Sequence, residues 1–132
     1  MNFLTFSTFV EDINHLYYTS IMKVSDLVQQ LNLTVFGGEQ GLANEISGGY
    51  TSDLLSDVMG FADTGNVWIT LQTHKNIMAV ASLKEVAAIV LVKGFKPDND
   101  TLEQANEEGI PLLGTNEQAF DITGKIYCLL QK

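Results

Sequence analysis

From residue 33 onward, short apolar runs alternate with longer amphipathic segments, and this alternation constrains the fold more than any other feature. The runs at 67–71 and 88–92 have few polar positions, which is typical of parallel strands covered by helices on both faces. The sequence therefore predicts a single α/β domain with a mostly parallel sheet and flanking helices. The predicted strands are 33–36, 45–48, 67–71, 88–92 and 111–113.

Helical segments are predicted between and after these strands. A first helix starts near Ser25, and further helices are predicted at 53–59, 76–82, 101–108 and from 116 towards 130. Two pairs, Asp100 with Glu103 and Thr115 with Gln118, have the spacing of capping boxes. Gly109 precedes Ile110 and Pro111 and is predicted to end a helix.

The sequence predicts a separate amphipathic helical extension at residues 1–21 and the domain at residues 22–132. The extension has no Lys or Arg, and its apolar residues recur at helical spacing: Phe6, Phe9, Val10, Ile13, Leu16 and Tyr17. Glu11, Asp12 and Asn14 interrupt the apolar stretch that a secretory signal or a membrane span requires. The predicted helix packs either on its own domain or on a second copy. Met22 is a second possible start, so residues 1–21 are either native or an upstream extension.

The charge and cysteine content exclude several classes of partner. Sixteen acidic residues against seven basic ones give a formal net charge of −9, without any basic run. A nucleic-acid partner is not expected, because binding to phosphate backbones requires a basic surface. Cys128 is the only cysteine, so no internal disulfide forms, and we expect a cytoplasmic protein. Within the apolar run 126–130, Cys128 is predicted to be a buried, inert thiol.

No arrangement of residues predicts catalysis, a metal or a cofactor. Gly124 and Lys125 resemble the end of a phosphate-binding loop, but Ile126 stands where a hydroxyl residue would hold magnesium. His15 and His74 have no second histidine at metal-ligand spacing. Ser47 lies outside any nucleophile elbow. We therefore predict that the chain is not an enzyme.

Three short stretches are candidate ligand-binding residues. Gly48 and Gly49 are predicted between a strand and a helix, where they form either an anion-binding loop or, by preference, a packing turn. The polar residues Thr73, His74, Lys75 and Asn76 follow the strand 67–71, at a place where open α/β sheets bind ligands. They are otherwise a solvent-exposed loop. Lys93 and Gly94 follow the next strand and are predicted as a second wall of the site.

The order of these motifs resembles the DRTGG domain family over residues 22–130. The resemblance is carried by Met22-Lys23-Val24 with Leu27, Gly41-Leu42, Glu45-Ile46-Ser47-Gly48-Gly49-Tyr50, Val67-Trp68-Ile69-Thr70, Ala88-Ile89-Val90-Leu91 and Gly109-Ile110-Pro111-Leu112-Leu113. The family's Asp-Arg pair is replaced by Thr73 and His74. Its Thr-Gly-Gly is replaced by Val92, Lys93 and Gly94, so only the last glycine is retained.

The resemblance implies an accessory domain without catalytic activity. DRTGG domains are similar to the amino-terminal domain of HPr kinase/phosphorylase, and they also occur beside CBS domains in regulated pyrophosphatases. In these proteins catalysis resides in other domains. We therefore expect a regulatory or ligand-sensing module that forms a homodimer and binds a small anionic metabolite or nucleotide. The alternative is a structural dimerisation or adaptor domain that binds a partner protein.

Overall fold

The computed structural model describes residues 21–131, which form a five-stranded sheet with helices on both faces. The predicted helix of the amino-terminal extension lies outside the described residues. In chain order the elements are α1 (Val24–Leu31), β1 (Thr34–Gly37), a 3₁₀ turn (Glu39–Gly41), β2 (Gly48–Thr51), α2 (Leu55–Phe61), β3 (Asn66–Thr70), α3 (Asn76–Lys84), β4 (Ala88–Leu91), α4 (Asn99–Glu108), β5 (Leu112–Gly114) and α5 (Ala119–Leu130).

The sheet order is β1-β5-β4-β3-β2, which confirms the predicted fold class. Strands β2 to β5 are parallel, and only β1 at one edge is antiparallel to its neighbour β5. The parallel strands are joined through α2, α3 and α4, as crossover connections of this type require. Strand β2 forms the other edge of the sheet.

The predicted strand at 45–48 is wrong by three residues, since β2 begins only at Gly48. Residues 45 and 46 instead pair with the start of the domain. Glu45 forms an antiparallel bridge with Lys23, and the Ile46 amide donates a hydrogen bond of 2.8 Å to the carbonyl of Met22. Ile46 therefore attaches the entering chain to the domain through its backbone, while its apolar side chain packs against the core.

The sheet separates two apolar clusters. Along β3, Val67 and Ile69 face one cluster and Trp68 faces the other, and all three side chains are buried. The first cluster includes buried residues of α1 and α5, and we call this side the two-helix face. The second includes buried residues of α2, α3 and α4, and we call it the three-helix face. Burial on both sides explains why the central strands have nearly continuous apolar sequences.

The helix ends confirm one predicted signal and correct two. Gly109 ends α4 in the left-handed conformation, at φ 67°, which glycine adopts without steric cost. Neither predicted capping box caps a helix. Helix α4 begins at Asn99 after Asp98, and α5 begins at Ala119 after Gln118. Within residues 21–131, no helix has the length and apolar character needed to cross a bilayer.

Candidate functional site

Polar loops follow β3 and β4 at the carboxyl edge of the sheet. The loop after β3 is attached to the start of α4, because the carbonyl of Thr73 accepts hydrogen bonds from two residues there. The Thr101 hydroxyl donates over 2.8 Å and the Asp98 amide over 3.2 Å. Thr101 is fully buried, so this contact fixes the position of the loop.

Asp53 connects the loop after β2 to the end of β3. Its Oδ1 atom accepts hydrogen bonds from the Thr70 hydroxyl at 2.9 Å and from the Leu71 amide at 2.7 Å. The Gln72 side-chain amide donates to the Asp53 carbonyl at 3.0 Å. Sequence analysis did not identify Asp53 as a site residue. Its place directly after a strand, at the edge where the other strands also end, is the signal that could have identified it.

His74, Lys75 and Asn76 lie where α3 begins. The Asn76 amide donates to Nδ1 of His74 at 3.2 Å, and the Ile77 amide donates to the His74 carbonyl. His74 and Lys75 are both exposed. The backbone N–H groups of Thr73, His74 and Lys75 have no acceptor within the part of the chain that the structure describes. These groups, beside the exposed side chains of His74 and Lys75, are suited to binding an anion.

Lys93 and Gly94 follow β4 and have left-handed backbone conformations, with φ values of 62° and 72°. Their N–H groups are already used, since Lys93 donates to the Glu117 carbonyl and Gly94 to the Thr115 carbonyl, both at 2.9 Å. Only the exposed ammonium of Lys93 remains for a ligand. The left-handed conformation favours glycine at position 94, and a Cβ atom added there would lie 2.9 Å from the Asn116 carboxamide oxygen, so that side chain would have to shift.

The structure brings the 73–76 loop and Lys93-Gly94 to one edge but separates the glycine pair from them. Gly48 and Gly49 are the first two residues of β2, paired with Asn66 and Val67, and do not form a loop after a strand. Two or three residue steps along β2 separate these glycines from its carboxyl end at Thr51, a distance of about 7–10 Å. Gly48 and Gly49 therefore lie towards the other end of β2, and a single ligand site that contains all three stretches stays a prediction.

Gly48 and Gly49 instead line an open groove of about 420 Å³ between β2 and α5, which we call the β2–α5 groove. Its lining residues carry no formal charge: Ser47, Gly48, Gly49, Tyr50, Thr51, Ile69, Thr123, Ile126, Tyr127, Leu130 and Gln131. The Thr51 and Thr123 hydroxyls are hydrogen-bonded to each other at 2.8 Å. An uncharged lining of this kind is suited to an apolar occupant and not to a phosphate.

Tyr50, at the rim of the groove, hydrogen-bonds to α2. Its hydroxyl donates to Asp57 Oδ1 at 2.8 Å, and this hydrogen bond raises the pKa of Tyr50 above its ordinary value. Hydrogen bonds from Ser52 and then from Tyr50 lower the pKa of Asp57 below its ordinary value. The pair holds the edge strand against the three-helix face.

A second cleft, of about 430 Å³, opens at the carboxyl end of β5. Its lining includes Gly94, Lys96, Thr115 and Asn116 but neither Lys93 nor the 73–76 loop. Sequence reasoning did not identify Lys96 or Asn116 as site residues. Their position in the two loops that follow the neighbouring parallel strands β4 and β5 is the signal that would have suggested them.

Cys128 is exposed, which corrects the prediction of a buried thiol. Helix α5 has apolar residues on more than one side, and the core receives Ile122 and Ile126 and not Cys128. Among residues 21–131, no group of three or more His, Cys, Asp or Glu side chains could hold a metal ion.

Comparison with known proteins identifies the family and the fold. The model of the DRTGG domain matches residues 26–128. A search of the curated proteins finds no significant match. Among solved structures, the chain is similar to the CBS and DRTGG domains of the regulatory region of Clostridium perfringens pyrophosphatase, complexed with the activator diadenosine tetraphosphate. The TM-score is 0.65 at 14% sequence identity, covering 86% of this chain and 48% of that chain. The chain thus spans about half the length of this relative.

Proposed function

The chain belongs to the DRTGG domain family, whose members are regulatory modules, and from this premise we propose that it senses a small anionic metabolite or nucleotide without catalysing a reaction on it. The regulatory region of the similar pyrophosphatase binds a dinucleotide activator, which supports a ligand of this class. In this proposal the protein is cytoplasmic, and the response to ligand is passed to another domain or to a second copy of the chain.

The proposed binding residues are Thr73, His74, Lys75 and Asn76, with the Lys93 ammonium on the neighbouring loop. The observation that carries the proposal is the row of backbone N–H groups at 73–75 without a protein acceptor in the described chain, beside two exposed basic side chains. Such groups bind a phosphate or carboxylate without a large positive field. Gly48 and Gly49 are not part of this site.

The acidic residues around the loop restrict how an anion binds. Asp53 and Asp98 both lie on segments bonded to the loop, and the chain as a whole is strongly acidic. Long-range attraction therefore contributes little to affinity. Binding depends on short, directed hydrogen bonds, so affinity should change less with ionic strength than it does for a basic phosphate-binding surface.

The test is a thermal-shift screen of the full chain against nucleotides, dinucleotide polyphosphates and sugar phosphates, followed by calorimetry. A ligand at a hundredfold excess over its Kd stabilises the fold by about 2.7 kcal/mol, which is readily detected as a higher Tm. Replacing His74 and Lys75 together by alanine should weaken binding at least tenfold, because a charge-assisted hydrogen bond is lost.

Lys84→Ala is the matched control, since it removes a positive charge from the opposite end of the same helix. It should leave the Kd unchanged. An unchanged Kd in the His74 and Lys75 variant would reject the assigned residues. A screen without any shift, on protein shown to be folded, would reject the sensor.

A second candidate function, an adaptor that dimerises and binds a partner protein, is favoured by exposed apolar side chains at α2. Leu54, directly before α2, and Phe61, its last residue, are 64% and 71% exposed, so both ends of this short helix present a large apolar side chain to solvent. Light scattering distinguishes the two functions. The adaptor would be favoured if the protein is a dimer, if the double substitution Leu54→Ser and Phe61→Ser dissociates it, and if no ligand raises its Tm.

A further inference from the structure

Helix α5 carries an apolar stripe whose Phe120 and Tyr127 the described domain leaves exposed, while Leu130 at its end packs partly against the core. Phe120, Thr123, Tyr127 and Leu130 are three or four residues apart and therefore share one side of the helix. Phe120 is 88% exposed and Tyr127 is 64% exposed. Ile122 and Ile126, which lie on a neighbouring side of the helix about a quarter turn away, are buried in the core. Helix α5 is thus apolar on two sides and covered on only one.

The β2–α5 groove runs beside this stripe and continues around it. Thr51, Thr123 and Tyr127 line both the groove and a second depression of about 440 Å³, which also includes Phe120 and Gly124. The residues that line the depression are uncharged as well. Gly49 and Thr51 provide only small groups on this side of β2, so the edge of the sheet leaves room beside α5.

The chain enters the domain at one end of this groove. The Met22 carbonyl accepts the Ile46 amide hydrogen bond, and Ser47, the next residue, lines the groove together with Leu130 and Gln131. The segment that precedes residue 21 therefore starts beside the groove. Its apolar residues from Phe6 to Tyr17 recur at helical spacing, while Glu11 and His15 fall on the opposite side of such a helix.

We propose that the amphipathic segment 6–17 of the same chain occupies the β2–α5 groove as a third helix on the two-helix face. A helix of these twelve residues is about 18 Å long, the same length as the twelve-residue α5. Residues 18–21 connect it to Met22, and four extended residues span about 13 Å, enough to reverse the chain direction. The segment then lies parallel to α5, with its residue 17 end near Leu130.

The chain's own segment is favoured over a second copy for two reasons. A short connection holds the segment beside the groove at an effective concentration of millimolar order, far above ordinary protein concentrations. In addition, two copies that each carry a net charge of −9 repel one another. The apolar side of the segment and the uncharged lining of the groove match without desolvating any ion pair.

Hydrogen–deuterium exchange of the full chain tests this proposal. Backbone amides of residues 6–17 should exchange at least tenfold more slowly than those of an unstructured peptide of the same sequence. Replacing Phe120 and Tyr127 together by serine should remove this protection. Replacing Phe9 and Ile13 by serine should do the same, and this second variant does not alter the folded domain. Amides of β3 should keep their protection in both variants, which shows that the domain remains folded.

Two controls and one dilution series complete the experiment. Leu83→Ser removes a 69% exposed leucine from α3, and His15→Ser changes the polar side of the segment, so both should leave protection unchanged. Protection should also be independent of protein concentration. Absent protection, or protection that survives both serine variants, would overturn the proposal. Protection that disappears on dilution would show that a second copy provides the segment, which also overturns it.

Discussion

The two faces of the sheet are covered in different ways, although they share the same strands. On the three-helix face, Trp68 of β3 and Ile77 and Met78 of α3 are at most 1% exposed. On the two-helix face, Ile122 and Ile126 are equally buried, yet the outer stripe of α5 remains open. The parallel connections from β2 to β5 place a helix on the three-helix face each time, as right-handed crossovers must. Only helices near the chain ends are left for the other face.

The largest loss of stability should come from a substitution on the three-helix face. Replacing Trp68 by alanine removes a fully buried ring and its 2.9 Å hydrogen bond to the Ser52 carbonyl. The expected loss is about 3–5 kcal/mol in the free energy of unfolding, a large part of the stability of an ordinary domain. Urea denaturation measures it, with Leu83→Ala as a control within about 0.5 kcal/mol of wild type. A loss below about 1 kcal/mol would mean that this face is not tightly packed.

Phe120 provides the corresponding test on the other face. If segment 6–17 covers it, Phe120→Ser should lower the free energy of unfolding by about 1.5 kcal/mol, the lower end for a buried apolar side chain. The exposed Leu83, replaced by serine, should have almost no effect. Chemical denaturation of both variants compares the faces directly. Equal, negligible losses at Phe120 and Leu83 would show that the groove is open in solution.

Replacing a helical glycine on each face should change the stability by a smaller amount. A Cβ atom added at Gly60 in α2 or Gly124 in α5 would contact nothing within 4 Å in the described structure. Gly60→Ala should therefore stabilise the protein by up to about 1 kcal/mol through helix propensity. Gly124→Ala should stabilise it less, because the occupant of the groove lies against this position. Thermal unfolding of the two variants gives the difference, and equal stabilisation would argue against a close-packed occupant.

The smallest effect concerns the hydrogen bonds that hold β2 on each face. Tyr50→Phe removes the bond to Asp57, so the pKa of Asp57 should rise towards its ordinary value of 3.8. Because folding lowers this pKa, the associated stabilisation is present above about pH 4 and is lost as the pH falls through the folded value. Carbon-13 NMR titration measures the pKa. Thr51→Val, which removes the bond to Thr123 on the other face, should leave the Asp57 pKa unchanged.

The Tyr50 hydroxyl also makes the stability depend on pH in the alkaline range. Folding raises the pKa of Tyr50 above 10.0, so its contribution is present below pH 10 and is lost as the pH rises through the folded value. The stability difference between wild type and Tyr50→Phe should therefore be greatest between these limits. A difference that persists unchanged below pH 3 would assign the effect to packing and not to the hydrogen bond.

Sequence reasoning predicted best the parts of the fold that burial determines. The central strands were located to within one residue because both of their faces are apolar, as in the run from Val67 to Ile69. Strand β2 was misplaced because Gly48 and Gly49 have low strand propensity, whereas Ile46 is apolar for a different reason. Cys128 was assigned to the core because α5 is apolar on two sides, and periodicity alone does not distinguish the covered side from the uncovered one.

For the candidate site, the sequence pattern predicted which residues follow the strands, but it did not predict the hydrogen bonds between the loops. The loops at Thr73 and Lys93 lie at one edge because they follow neighbouring parallel strands, which the pattern predicted. The hydrogen bonds from Thr70 and Leu71 to Asp53 join residues 17 and 18 positions apart. Such pairing depends on the loop geometry after β2, and no local spacing in the sequence reveals it.

The shared corner of Met22 and Gln131 determines how this domain responds to mechanical load. Met22, where the chain enters the domain, is hydrogen-bonded to Ile46. Gln131, directly after α5, lines the same groove as Ser47. Both ends of the domain therefore lie near the amino end of β2. We expect a force applied between Met22 and Gln131 to separate these two residues first, without stretching the sheet along its strands. The carboxyl edge, at the far end of the strands, lies outside the line of tension and would keep its shape while the corner yields.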